Sequence, residues 1–230
     1  MISMRSRHAA KIRIKTGARK DGTLLARDTE IVLNGGAYAD FSPIVLEASM
    51  LLAAGPYRIP HVRNVGRAVY TNRLRAGAMR GFGVMQPIFA GESQLDELAL
   101  KLGVDRFELR IKNAKQSGDK NMGSHHLPVC RVGDCLARIR DHPAFIAAAA
   151  DKGVPGKRRG VGVSSIVQQS GLFSSSANIR VAEDGTLTVS TGYIDIGTGS
   201  DTALAQVAAA TLGVDIEAVN IVTPDTDGAV

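Results

Sequence analysis

From Lys11 to Lys15 the chain alternates strictly, Lys-Ile-Arg-Ile-Lys. A period of two predicts a strand with isoleucines turned inward and charges in water. The run passes through Lys20-Asp21-Gly22-Thr23-Leu24 into a second strand. The same pattern returns late in the chain, where Ile179-Arg180-Val181 passes through Glu183-Asp184-Gly185-Thr186-Leu187 into another. Asp-Gly between alternating runs predicts a hairpin, because both residues tolerate positive φ. Each second strand runs out into glycine, an aromatic residue and an aspartate: Gly36-Ala37-Tyr38-Ala39-Asp40 and Gly192-Tyr193-Ile194-Asp195.

A helical period follows each hairpin. Leu95, Leu98, Ala99 and Leu102 fall on one face, with Gly103 as a left-handed cap. Asp105 and Glu108 then open a further short helix in the manner of a capping box. Ala203 to Leu212 is a second helix, ended by Gly213, and Val214-Asp215 repeats Val104-Asp105. The predicted fold is α+β, two hairpin-plus-helix subdomains, with the domains placed at 1–114 and 157–230. Residues 115–156 form an irregular connector containing an alanine-rich helix from Pro143 to Asp151.

Charge and composition narrow the classes. Of 230 residues, 44% are hydrophobic and the net charge is +6. Seven basic residues from Arg5 to Lys20 precede the first acid, Asp21. This pattern admits a nucleic-acid footprint or a transit peptide. The alternation instead assigns the charges to the wet face of a strand. Aromatics, which stack on bases, make up only 4%. The longest apolar run, Ile44 to Ala54, is too short to span a bilayer and contains Glu47. Two cysteines, Cys130 and Cys135, are too few for a disulfide framework and fit a reducing, cytoplasmic setting.

Two glycine-rich segments carry the candidate chemistry. Gly77-Ala78-Met79-Arg80-Gly81-Phe82-Gly83 sets an arginine and a phenylalanine among glycines. Glycine suits positive φ or close approach of backbone to a ligand. Arginine offers a charged, planar fork of donors. The segment reads as a cofactor wall. The second, Asp195-Ile196-Gly197-Thr198-Gly199-Ser200-Asp201-Thr202, joins a strand to a helix, where free N–H groups and the helix dipole make a seat for phosphate. Ser200, Asp201 and Thr202 are its candidate N-caps. It is neither a dinucleotide fingerprint nor a P-loop. His125-His126, Ser174-Ser175-Ser176 and the pair Asp225 and Asp227 read as loop and turn residues, and no protein metal cage is expected.

In sequence order, these segments resemble the molybdopterin-binding large subunits of the xanthine dehydrogenase and aldehyde oxidase family. Gly35-Gly36-Ala37-Tyr38, Pro56-Tyr57-Arg58-Ile59-Pro60, Glu92 to Ala99, Leu109 to Asn113 and Leu212-Gly213-Val214 resemble that family too. The bacterial hydroxybenzoyl-CoA reductase and nicotinate or isoquinoline dehydrogenase types look most similar. The resemblance implies an oxidoreductase with a molybdenum–pterin cofactor, the cytosine dinucleotide form among the candidates. Such an enzyme inserts water-derived oxygen into an aromatic heterocycle, aldehyde or aryl thioester. Electrons then leave through iron–sulfur and FAD centres on partner subunits. It places Arg80, Gly81 and Gly83 against the cofactor and Phe82 beside the substrate. Gly197, Thr198, Gly199, Ser200, Asp201 and Thr202 would form a second cofactor wall. Many relatives have glutamine where Thr198 stands. Ala48 stands where purine-oxidising members carry an arginine, which argues against xanthine as substrate. The family's catalytic glutamate is expected beyond Val230, so the chain reads as part of a larger subunit, inactive alone. The alternatives are a non-catalytic basic domain binding nucleic acid and a functionless gene remnant.

Overall fold

A computed structural model describes residues 4–120, 126–168, 174–222 and Asp225. The chain divides into two compact units, Met1–Gln168 and Gln169–Val230.

The first unit is built on a three-stranded sheet. Strand β1 (Ala10–Ala18) pairs antiparallel with β2 (Leu24–Gly36), with Ile12 opposite Ile31 and Arg13 opposite Glu30. The charges of β1 are exposed while Ile12 and Ile14 are half-buried, as the alternation requires. Asp21 closes the hairpin, its Oδ1 accepting from Thr23 N at 3.0 Å, with Gly22 at φ 85°. Helix α1 (Ser42–Leu52) then carries the chain across to β3 (His61–Tyr70), which lies parallel to β2. A parallel neighbour needs such a crossover. The apolar run noted in the sequence is this helix. Its Val45, Leu46, Ser49 and Leu52 are buried, and Val45 and Leu46 pack on Ile31 and Leu33 of β2.

Two further helices close the other end of this sheet. Helix α2 (Met85–Leu102) ends on Gly103 at φ 66°, and α3 (Arg106–Asn113) starts on Asp105, whose Oδ1 accepts from Phe107 N and Glu108 N. Leu24, Tyr57, Leu95, Ala99 and Leu109 form the core there. Within it lies a fully buried guanidinium. Arg110 donates from Nε to Glu92 Oε2 and from Nη1 to Asp96 Oδ1, both at 2.8 Å, and Tyr57 donates to Glu92 Oε1 at 2.6 Å. Burial first, then the Glu92 charge, raises the Tyr57 phenol above its usual range. Asn113 completes the clamp by donating to Gly22 O and accepting from Leu24 N, tying α3 to the hairpin. Helices α4 (Val132–Arg140) and α5 (Pro143–Ala150) follow, with Phe145 edge-on to Phe107 at 5.2 Å.

The second unit repeats the sheet topology. Strands β4 (Ala177–Val181) and β5 (Leu187–Thr191) form the hairpin, and α6 (Ser200–Leu212) leads through a 3-10 turn to β6 (Val219–Val222), parallel to β5. Asp184 accepts from Thr186 N at 2.9 Å with Gly185 at φ 85°, the geometry of the first hairpin again. Leu187, Val189 and Val219 pack on Ala205, Ala208 and Ala209. The pairing of helices differs from the sequence expectation. Gly103 and Gly213 do end their helices alike, with Val104 N and Val214 N each bonded to the carbonyl five residues back. The crossover counterpart of α6 is nevertheless α1, not α2, because only α1 links the middle strand to its parallel neighbour.

Candidate functional site

The arginine-bearing turn follows β3, and the segment leading to it runs alongside the C-terminal end of β2. Gly36 sits at φ 79°, and a Cβ there would lie 2.3 Å from Leu74 O, so only glycine lets residues 73–76 run alongside. Ala76 N bonds Gly35 O at 2.9 Å and Ala37 N bonds Arg73 O at 3.1 Å. Two overlapping turns follow. Phe82 N bonds Met79 O at 2.7 Å with Gly81 at φ 86°, the type II signature. Val84 N bonds Gly81 O at 2.9 Å with Phe82 at 47° and Gly83 at 88°, both central residues left-handed, as in type I′.

A phenylalanine held at positive φ is strained and persists only where its surroundings fix it. Here the half-buried Phe82 ring packs on the Ile31, Leu33 and Val45 cluster and meets Phe41 edge-on at 6.5 Å. Neighbouring Asp40 is also left-handed, at φ 43°, with Arg5 Nε 2.9 Å and Arg75 Nε 3.7 Å from its Oδ2.

The glycines divide their roles. A Cβ on Gly83 would fall 2.5 Å from Ser49 Oγ and 2.6 Å from Val45 O, so this glycine is where the turn lies against α1. Ser49 Oγ is 2.7 Å from Gly83 O and 2.8 Å from Val45 O. Among the described residues neither the Gly81 nor the Gly83 N–H has an acceptor. Arg80 is exposed, and its carbonyl accepts from Arg7 Nη2 at 2.6 Å. Gln86 donates to His8 O at 3.2 Å, while its Oε1 is buried with no donor among the described residues.

The second candidate turn is filled from within. Asp195 Oδ1 accepts from Gly197 N at 2.7 Å, Thr198 N at 2.9 Å and Gly199 N at 3.4 Å, and Oδ2 from Asp201 N at 3.4 Å. Against the desolvation that raises it, these N–H groups hold the Asp195 carboxyl below its ordinary range. The N-cap is Gly199 at φ 76°, with no side-chain cap from Ser200, Asp201 or Thr202. An aspartate upstream performs that task, and Asp-x-Gly before a helix is the sequence signal that could have revealed it. The hydroxyls cluster instead: Thr198 Oγ1 is 2.8 Å from Ser200 Oγ and 3.2 Å from Tyr193 OH.

The remaining candidates do not assemble. His126 Nδ1 lies 3.1 Å from Gly118 O, and His125 and Asp227 fall outside the described residues. Cys130 and Cys135 are free thiols, the first donating to Lys115 O. Among the described residues there is no group of three or more His, Cys, Asp or Glu placed to hold a metal, and no helix is long and apolar enough to cross a membrane. A cavity of about 240 Å³ lined by Leu51, Leu52, Pro56, Leu127, Val129 and Ile166 includes none of the candidate cofactor residues.

Comparison with known proteins identifies the family. Profiles of the molybdopterin cofactor-binding domain match residues 1–114 and 137–230. The chain belongs to the molybdopterin-binding domains of the xanthine dehydrogenase and aldehyde oxidoreductase family. It is 38% identical over 226 residues to a probable xanthine dehydrogenase subunit of Bacillus subtilis, covering 96% of this chain and 30% of that protein. It is 44% identical over 114 residues to the nicotinate dehydrogenase large molybdopterin subunit of Eubacterium barkeri, covering 50% of this chain and 27% of the relative. The structure of aldehyde oxidoreductase from Desulfovibrio gigas superposes with a TM-score of 0.80 at 34% identity, over 96% of this chain and 25% of that one. The chain thus spans about 30% or less of the length of these relatives. The Arg80 turn carries two glycines at positive φ, Gly81 and Gly83. It presents an exposed guanidinium beside two N–H groups that have no acceptor among the described residues. The α6 turn of these molybdopterin-binding domains offers hydroxyls, since its N–H groups are on Asp195.

Proposed function

We propose that the turn of residues 79–84 is the cofactor-facing element of a molybdenum hydroxylase. In this reading Arg80 binds and orients an anionic group of the pterin cofactor. The N–H groups of Gly81 and Gly83 donate to it, and Gln86 Oε1 takes a donor from the ring. Phe82, fixed by Phe41 and the core behind it, flanks the substrate. Taken by itself, the second unit's turn of Gly197, Thr198, Gly199, Ser200, Asp201 and Thr202 would offer a ligand mainly the hydroxyls of Thr198 and Ser200. The bound molybdenum–pterin group, in its cytosine dinucleotide form, supplies the two-electron redox chemistry. The whole protein would oxidise an aromatic heterocycle, aldehyde or aryl thioester. Its partners would be iron–sulfur and FAD subunits in the cytoplasm.

The observation that carries this reading is an exposed arginine beside two glycine N–H groups that have no acceptor among the described residues. Molybdenum by elemental analysis and pterin by fluorescence, measured on purified protein, test it. Arg80→Ala is expected to lower pterin retention about tenfold, the lower end of what a charge-assisted hydrogen bond carries, with Arg80→Lys intermediate. Equal pterin content in the parent and Arg80→Ala would overturn the assignment.

A further inference from the structure

Type II and type I turns share the hydrogen bond that closes them and differ by a flip of the central peptide. In the turn from Met79 to Phe82 that peptide joins Arg80 to Gly81. Glycine visits positive and negative φ with similar ease, so Gly81 does not choose between the two orientations. Something outside the turn must. The Arg7 guanidinium sits 2.6 Å from the Arg80 carbonyl oxygen, donating to it from Nη2. Because the peptide is planar and trans, fixing that carbonyl toward Arg7 sends the Gly81 N–H the opposite way.

Arg7 can hold the carbonyl because its own backbone is anchored on both sides. Ser6 O accepts from Gly77 N at 3.1 Å and Ser6 N donates to Arg75 O at 3.4 Å, ahead of the turn. His8 O accepts from Gln86 Nε2 at 3.2 Å, beyond it. The His8 ring is 3% exposed and its Nε2 is 2.8 Å from Ser42 Oγ, which ties the strap to the start of α1. Ala9 O accepts from Asn34 N at 2.9 Å and continues the anchorage into β2.

We propose that Arg7 is a positioning residue: seated on the Arg80 carbonyl, it holds the Arg80–Gly81 peptide in one orientation and so aims the Gly81 N–H. The consequence for the cofactor rests on the function proposed above, whereas the peptide lock stands on the strap geometry alone. The experiment separates the two. In the 230-residue chain, 15N relaxation dispersion and the Gly81 HN–Hα couplings report whether the peptide exchanges between orientations. Pterin retention reports whether that matters to the ligand.

Arg7→Ala is expected to produce microsecond-to-millisecond exchange at Gly81 and Phe82 that the parent lacks, and to lower pterin retention. Arg7→Lys, which keeps a donor without the planar fork, is expected to restore both in part. Unchanged couplings and no exchange in Arg7→Ala would overturn the lock. Exchange with undiminished pterin retention, in a protein where Arg80→Ala does lose pterin, would overturn the aiming role. Exchange with neither variant losing pterin would support the lock and overturn the cofactor reading instead.

Discussion

The two glycine turns look alike in sequence and solve the same problem in opposite ways. Each belongs to a unit whose three-stranded sheet has the order hairpin, crossover helix, parallel strand, but the first turn follows the edge strand β3 and the second follows the middle strand β5. In the second unit the turn is self-contained. Asp195 lies two residues before Gly197 and accepts from the N–H groups that would otherwise await an anion. In the first unit the turn is held from outside, by α1 beneath Gly83, by Phe41 against Phe82 and by Arg7 on Arg80. Its own N–H groups at Gly81 and Gly83 find no acceptor among the described residues. A turn that supplies its own anion is satisfied from within, whereas one braced by neighbours leaves two N–H groups without an acceptor among the described residues.

The largest expected effect contrasts glycine with glycine. Gly83→Ala places a methyl 2.6 Å from a backbone oxygen of α1 as well as forcing a left-handed alanine. The left-handed cost is about 1–2 kcal/mol and overpacking adds about 1–3 kcal/mol. Gly199→Ala meets nothing within 4 Å and bears only the first cost. Unfolding midpoints in urea, compared between the variants, should therefore fall further for Gly83→Ala. Equal losses would mean that the first turn is not braced by α1.

A smaller effect distinguishes the two turns as anion seats. Asp195→Ala removes the carboxylate that accepts from the N–H groups of Thr198, Gly199 and Asp201. Their amide exchange should quicken, and inorganic phosphate, followed by chemical-shift titration, should bind the variant more tightly than the parent. Phosphate shifts at these residues in the parent that match those in the variant would sink the idea of a self-filled nest.

The smallest effect is one of pH. Burial, partly countered by the Asp40 charge, holds the His8 imidazole below its ordinary value of 6.5. The unfolded chain then binds a proton that the folded chain refuses. Stability from this group is complete above pH 6.5 and is lost as pH falls through the lower folded value. The urea midpoint of the first unit should drop as the pH is lowered from neutral through that ordinary value, and His8→Gln should flatten the slope. A slope unchanged in His8→Gln would assign it to other groups.

Much of this was legible along the chain because it is local. The Asp-Gly-Thr hairpins, the Gly103 and Gly213 caps and the Asp105 cap each depend on residues within a few positions of one another. The family resemblance was equally readable, and the profile matches support it. The helix through Leu95, Leu98 and Ala99 was legible from its period, but Glu92, Arg110 and Asn113, in the segments Glu92 to Ala99 and Leu109 to Asn113, were readable only as resemblance. The fold gives them a physical meaning, a buried ion pair with Tyr57 and an asparagine strut to the first hairpin. The crossover role of α1 was hidden because an apolar run states burial but not which strands it connects.

Along the chain, three glycines around one arginine suit neither helix nor strand and mark residues 76–87 as irregular, although α2 already begins at Met85. The sequence by itself determined the two hairpins and the charge on each strand face. Only the tertiary structure decided what each turn does with its donors. Asp195 turns back on its own loop, and Arg7 reaches Arg80 from 73 positions away. Hydrogen bonds are short-ranged, so a donor's fate depends on which acceptor the fold brings within about 3 Å. For partners so far apart in sequence, that proximity is a property of the folded chain.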